Sequence, residues 1–395
     1  MAEKITNPYP ERPVAPPSGT EEEPLRVSTL ELFFDLVFVF AITQLTSILA
    51  GGPTLAGAAR VLLIFGVLWW MYGGYVWLSN ARTPVRTPER LLMLIGMAGF
   101  LIVGLAIPHA FGRDGVAFGV GYLIVVGVHT GLYQRINRNI ARVAPFNVLS
   151  ALLIIGAGLA GGGAAYALWA AALAVLVLSP LVVRVRGRFT IRPDHFAERH
   201  AALLIIVFGE SVADIGIGIG IAGQAVTVSL VVSATLGLAL AAALWWSYFG
   251  VGDDERSERA MTRAEPDARP GLALAAFFYS YIPMLLGIVA VAAGLKRAIG
   301  HAGSTLPYPA CLALAGGVAL YLAGDVAFRQ ALRIGVRRYR GVAAVAALAV
   351  SPVGASASVA AEIALLTAIV AAALFAERRG TASAEAGPPA DTVDA

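Results

Sequence analysis

"TLELFFDLVFVFAITQL", Thr29 to Leu45, decides how the chain is read. Its side chains are nearly all hydrocarbon, and a helix crosses a bilayer with about 20 such residues. Glu31 and Asp35 nevertheless sit inside it, four residues apart and therefore on one helix face. A carboxylate at mid-bilayer costs about 2.5–3.5 kcal/mol on insertion scales, so acids there face a bundle interior or a wet cavity.

The rest of the chain extends this pattern. Of 395 residues, 58% are hydrophobic and 14% charged, against about 25% charged in an ordinary soluble domain. Mean hydropathy is +0.75. Charges are confined between long apolar blocks. The sequence predicts an all-α polytopic membrane protein of about twelve transmembrane helices, with the lipid bilayer as its main partner. The spans read as 30–49, 57–79, 91–110, 116–133, 146–162, 164–183, 201–221, 226–250, 271–295, 309–328, 341–353 and 357–375. The boundaries at 161–163 and 351–357 can be read as two helices or as one block. Net charge is +4, but the arginines fall in short connections, which suits membrane orientation and not nucleic acid.

Arg82, Arg86 and Arg90 mark one connection, and Arg135, Arg138 and Arg142 the next of that set. The series continues through Arg184–Arg199, Arg256–Arg269 and Arg329–Arg340, while the alternate connections hold few basic residues. By the positive-inside rule the basic set is cytoplasmic, both termini are cytoplasmic and the number of spans is even. Residues 1–28 lack a signal-peptide pattern and read as a disordered tail, as do 377–395. The stretch Asp253–Pro270 reads as a charged linker.

Two six-helix halves, 29–190 and 191–376, are expected in parallel orientation. "LWWMYGG" (Leu68–Gly74) and "LWWSYFG" (Leu244–Gly250) end equivalent spans. The acid pair Glu31/Asp35 has a counterpart in Glu210/Asp214, and His129 one in Asp325. Parallel repeats of this kind recur in secondary transporters. Like charges one turn apart repel, so one acid of each pair is expected to keep its proton.

The candidate proton or cation path is Glu31, Asp35, His129, Glu210, Asp214 and Asp325. Glu31 also reads as a solvated first-turn acid favoured by the helix dipole, and His129 as a partner for a buried carboxylate. Glu198, Arg199 and His200 read as a juxtamembrane salt-bridge network, with a relay from Glu198 and His200 to Glu210 as the sharper alternative. In "GESVADIGIGIGIAG" (Gly209–Gly223), Gly209, Ser211, Gly216, Gly218 and Gly220 either allow close helix packing or mark a broken helix. Pro283 reads as a kink. Gly96, Gly99 and Gly104 read as packing glycines. No spacing fits a metal site, a Walker loop or a catalytic triad, so neither a cofactor nor an enzyme activity is expected. Cys311, the single cysteine, reads as a small buried hydrophobe.

"STLELFFDLVFVFAITQLT" (28–46), "IPHAFG" (107–112) and "HFAERHAALLIIVFGESVADIG" (195–216) resemble the bacterial low-temperature-requirement protein A family over roughly Val27 to Phe375. The resemblance implies a multipass inner-membrane protein tied by name to growth in the cold, and it supplies no mechanism. Many members carry an acid where His109 stands here, which argues against an essential acid at that position. "FFDLVFVFAIT" (Phe33–Thr43) is also similar to the "FSDGVFAIAIT" signature of six-span-repeat potassium channels, through Phe33, Asp35, Val37, Phe38, Ala41, Ile42 and Thr43. Three readings remain open: a proton- or cation-coupled permease for a small molecule or ion, with its site near Asp35, Glu210, Asp214 and His129; a cation channel lined by the first and seventh spans; or a non-transporting scaffold whose buried acids are all tightly paired.

Overall fold

A computed structural model describes residues 27–82, 84–137, 140–183, 190–221 and 226–385, with the backbone alone for 214–221 and 381–385. Among the described residues every regular element is helical. α1 (Thr29–Gly51), α2 (Leu55–Ala81), α3 (Thr87–Ala106), α4 (Gly115–Tyr133), α5 (Ile140–Ala160) and α6 (Gly162–Val182) make the first half. α7 (Pro193–Ile221) and α8 (Val228–Trp245) open the second. α8 runs through a π-helical turn, Trp246–Gly250, to α9 (Asp253–Arg263). A span follows from α10 (Arg269–Leu272) through a π-helical segment, Ala273–Tyr279, to α11 (Tyr281–Ala298). α12 (Tyr308–Leu332), α13 (Arg338–Ser356) and α14 (Val359–Glu385) complete the chain.

Eleven described helical stretches are long and apolar enough to cross a membrane. α7, with 29 residues, adds a twelfth of sufficient length. Leu94, Leu152, Leu178 and Val345 lie exposed in mid-helix, where a lipid-facing surface puts apolar side chains. The chain is a multi-span helical membrane protein. α1 begins and α14 ends on one side, called here the tail face; the opposite side is the far face.

Local sequence sets the helix ends. Ser28 and Glu31 form a reciprocal capping box at the start of α1. Thr54 and Thr227 cap α2 and α8. Gly161 and Gly162, at φ 63° and 54°, make the tight turn that separates α5 from α6, a backbone region glycine enters without strain. The second uncertain boundary falls at Ala357, since Pro352 lies within α13.

Three expectations need correction. Asp253–Pro270 is not a plain linker: α9 is helical, with three acids in its first turn, where the helix dipole favours them, and it packs on α7. The irregularity of the ninth span lies before Pro283, in the π-helical segment and at Ser280; a proline has no N–H for the preceding turn and crowds its carbonyl. α14 continues past Glu377 to Glu385, because Glu377 is buried in an ion-pair cluster described below. Residues 1–26 and 386–395 lie outside the described residues.

Packing partners recur between the halves. α1–α2, α1–α3, α3–α4, α4–α5, α5–α6 and α2–α6 touch in the first; α7–α8, α7–α11, α11–α12, α12–α13, α13–α14 and α8–α14 touch in the second. α1 also packs on α7 and α11, joining the two. Glycines bring backbones together where spans cross. A Cβ built on Gly99 would stand 2.9 Å from the Gly121 carbonyl, and one on Gly287 2.6 Å from the Tyr321 amide. Gly96 and Gly104 similarly accommodate Tyr75 and Phe40.

Gly287→Ala is therefore expected to lower the stability of the detergent-solubilised protein by about 1–3 kcal/mol, the usual range for overpacking. Gly316→Ala, where a Cβ meets nothing within 4 Å, should be neutral or stabilising by about 0.5–1 kcal/mol. Thermal unfolding of the two variants side by side checks this.

Candidate functional site

The two acids of the opening stretch are both fully buried at the tail face, where α1, α2 and α7 meet. Arg199 of α7 reaches both: Nη1 lies 2.9 Å from Glu31 Oε1 and Nη2 3.2 Å from Asp35 Oδ1. The guanidinium also donates to the Ser79 hydroxyl and lies over the rings of Phe34 and Tyr72, 5.7 Å and 6.0 Å from their centroids. Tyr72 donates to Asp35 at 3.0 Å. His195, one helical turn before Arg199, contacts Glu31 Oε1 at 3.2 Å through Nε2. Its Nδ1 lies 3.4 Å from the Asn80 amide nitrogen, which assigns the proton to Nε2. Asn80 further exchanges two 3.0 Å hydrogen bonds with the backbone of Arg192, fixing the entry of α7 against the end of α2.

This geometry sorts the residues singled out in the sequence. Glu31, Asp35 and Arg199 come together. Glu31 is a first-turn acid, but it is sealed from solvent. Both acids of the pair share the same cation, which offsets their mutual repulsion. Glu198 projects the other way, exposed, and accepts the Val27 amide at 3.1 Å. His200 turns its Nδ1 to the Phe196 carbonyl and stacks among Phe196, Phe277 and Tyr281. Neither approaches Glu210, which lies in the second half of α7, so the proposed relay is not built. His129 is buried between Tyr75 and Tyr133 against Gly74, and among the described residues no hydrogen-bonding partner reaches either ring nitrogen. Its helix meets aromatic α2 at that height, so it pairs with no carboxylate.

Asp325 belongs to a second tail-face cluster. Arg340 contacts Asp325 directly and Glu377 Oε2 at 3.1 Å. Arg329 lies 2.6 Å from Asp253 Oδ2 and also contacts Glu377. All five side chains are buried. Sequence reasoning placed Arg329, Arg340 and Glu377 in connections and tail. The available signal was Asp325 and Arg329 at i, i+4 on one face of α12.

The expected counterparts therefore do not match in depth or chemistry. Glu31 and Asp35 lie in the first turns of α1, whereas Glu210 lies far along α7. Of the repeated tryptophan motifs, the tyrosines agree: Tyr72 and Tyr248 are both buried, the latter 3.0 Å from the Tyr281 hydroxyl. The tryptophans do not, since Trp69 is buried and donates to the Phe278 carbonyl at 3.0 Å, while Trp245 and Trp246 are exposed.

Glu210 is the acid of the set with a different environment. It is half-buried and accepts the Thr43 hydroxyl at 3.0 Å. Among the described residues no cation pairs with it. It lines a cavity between α1, α7 and α11 with Thr43, Thr46, Ser211, Ile288 and Val289; about 10 Å³ of it is open to a water centre, room for about one water. Ser211 donates back to Val207 at 2.9 Å, and Gly209 is exposed on the opposite side. One turn beyond Thr43, Ser47 receives Lys296 of α11 at 3.3 Å. Ser47 also lines a recess of about 440 Å³ at the far face, with Gln44, Thr54, Arg60 and Pro108. Glu31, Asp35, Thr43 and Ser47 thus form a polar stripe along α1 at multiples of four residues. Each such step advances about 40° around the axis, so the stripe turns from α2 and α7 toward α11. α7 remains α-helical through Gly216, Gly218 and Gly220, so the helix is unbroken there. The Asp214 side chain lies outside the described residues. Among the described residues no cluster of three metal-ligating side chains occurs.

A twelve-helix bundle with sealed ion pairs at one face and a polar stripe through its centre defines an integral membrane protein of the polytopic helical class. Within that class, the profile of the bacterial low temperature requirement A protein (LtrA) family matches residues 26–375, and the chain belongs to that family. It is also similar to an uncharacterized protein of Rhizobium meliloti (strain 1021), RA0937, at 28% identity over 322 residues, covering 76% of each chain.

Arg199→Gln would leave two buried carboxylates without their cation. Stability should fall by about 3–5 kcal/mol, as when one partner of a buried pair is removed. The triple variant Arg199→Met, Glu31→Gln, Asp35→Asn should recover most of the loss. Thermal unfolding in detergent measures both.

Proposed function

We propose that the protein is a proton- or cation-coupled transporter, not an enzyme, working at the contact between two parallel six-helix halves. The recurrence of packing partners between the halves supports the repeat. The Arg-rich connections lie on the tail face, which supports a cytoplasmic position for that face and both termini, in the inner membrane of a bacterium. The observation that carries the reading is Glu210: a membrane-embedded acid at the junction of α1, α7 and α11, held by a hydroxyl and not by a cation, beside a small cavity. Intramembrane acids without a structural partner mark ion and proton routes. Ser47 and the far-face recess lie next along the stripe, in line with entry from outside. The cluster of Glu31, Asp35 and Arg199 then serves as the closed cytoplasmic end. A requirement for this transport at low temperature accords with the family's description.

The tight pairing of Glu31, Asp35 and Asp325 favours a second reading, a scaffold that moves nothing. Flux decides between them. Proteoliposomes should show uptake of a cation or a pH-gradient-driven solute, measured over a panel of both. Glu210→Gln should reduce it at least about tenfold while the protein still elutes as a folded species, and Thr43→Val should reduce it less. Equal flux in wild type and Glu210→Gln would remove Glu210 from the pathway; no flux for any solute would favour the scaffold.

A further inference from the structure

Glu362 has a different and unassigned place in the fold. It stands in the first turn of α14, near the far face, and is fully buried. Among the described residues, no nitrogen or hydroxyl donor reaches either carboxyl oxygen; the neighbouring donor is the Cys311 thiol, a weak one. A first-turn acid usually gains from the helix dipole in water, but here Ser358 caps the helix through Ala361 instead, and Glu362 points inward. It faces Gly354 of α13 and Cys311 of α12. A Cβ built on Gly354 would collide with Glu362 Oε2 and lie 2.8 Å from Cys311 Sγ. Both groups therefore converge on the bare backbone of Gly354.

The nearby groups are uncharged. Tyr308 of α12 pairs with Ser351 of α13 at 3.4 Å. Cys311 lies 3.7 Å from the Leu306 carbonyl. His301 is exposed and turned to the Ile299 carbonyl. Lys296 and Arg297 at the end of α11 reach Ser47 and Ala50 of α1. α8, which packs on α14, contributes Ser229, bound to the Gly300 carbonyl and the Ala302 amide. A carboxylate sealed from water without a cation is far costlier than the neutral acid. Two ligands of this kind with no third nearby do not make a metal site.

The segment 302–306 is latched. Three backbone hydrogen bonds tie it to the α13–α14 turn: Leu306 N to Gly354 O at 3.1 Å, Val359 N to Ser304 O at 3.0 Å and Ala360 N to Ala302 O at 3.1 Å. We propose that Glu362, set against Cys311 and Gly354 beneath residues 302–306, is a proton-binding site that keeps this end of the second half closed while protonated. When the proton leaves to water, the charge left behind requires hydration, and the 302–306 segment lifts to admit it. This site is separate from Glu210 and does not depend on the transport reading.

Cys311, the single cysteine, reports the opening directly. Its reaction with a neutral maleimide is measured on the folded full-length protein in detergent, from mildly acidic to alkaline pH. Each rate is divided by that of the unfolded protein at the same pH, and the ratios are compared below about pH 8, where folded and unfolded thiols alike gain thiolate about tenfold per pH unit. The ratio should rise with pH in wild type, by up to about tenfold per pH unit. It should stay flat in Glu362→Gln, whose side chain imitates the protonated acid. A flat ratio in wild type, or the same rise in both proteins, would overturn the proposal. Should Glu362→Gln not fold, the wild type still decides it. A hydrophobic carbodiimide, which reacts with protonated carboxyls, should mark Glu362 in peptide mass spectra, with less adduct as pH rises. No adduct at acidic pH, or the same amount at every pH, would refute the site.

Discussion

Arg199 between Glu31 and Asp35 is the contact on which the arrangement of the two halves depends. A guanidinium and two carboxylates without solvent exposure are tolerable only if they neutralise one another with good geometry. That condition fixes the depth of α7 relative to α1, because a shift of one residue would turn Arg199 away from at least one acid. Tyr72, Ser79, His195 and Asn80 complete the lattice of hydrogen bonds and tie α2 to the same register. A planar fork suits two acids one turn apart in a way a lysine ammonium does not.

The second cluster applies the same physics to the other half. Arg329 and Arg340 gather Asp253, Asp325 and Glu377 at the tail face, in a cluster that joins four helices. It explains why α9 is a packed helix and why α14 runs past its apolar stretch. Both clusters lie at one face, so that end of the bundle is held by charge. Toward the far face, glycine contacts and apolar packing dominate the bundle interior, and Glu210 and Glu362 are buried or half-buried there without an arginine partner among the described residues. Acids in one membrane protein thus fall into two kinds: those neutralised by arginine, which set geometry, and those without a cation, which are available to bind something.

The sequence alone determined the class of fold, a span number of about twelve, the family and part of the list of unusual acids. These follow from hydrocarbon content, arginine spacing and local motifs, which act over one helix at a time. It could not say which acids are paired. Glu31, Asp35 and Glu210 look alike as letters in apolar blocks, yet the first two meet Arg199 and the third meets only Thr43. That difference is set by residues more than 160 positions apart. Glu362 passed unnoticed in the last span for the same reason, since nothing local separates a capped first-turn acid from a sealed one. The relay through His200, the pairing of His129 and the match of Glu31 with Glu210 failed because direction around a helix and depth along it are fixed by neighbouring helices. Only the tertiary structure decides those, because the cost of burying a charge depends on what stands opposite it.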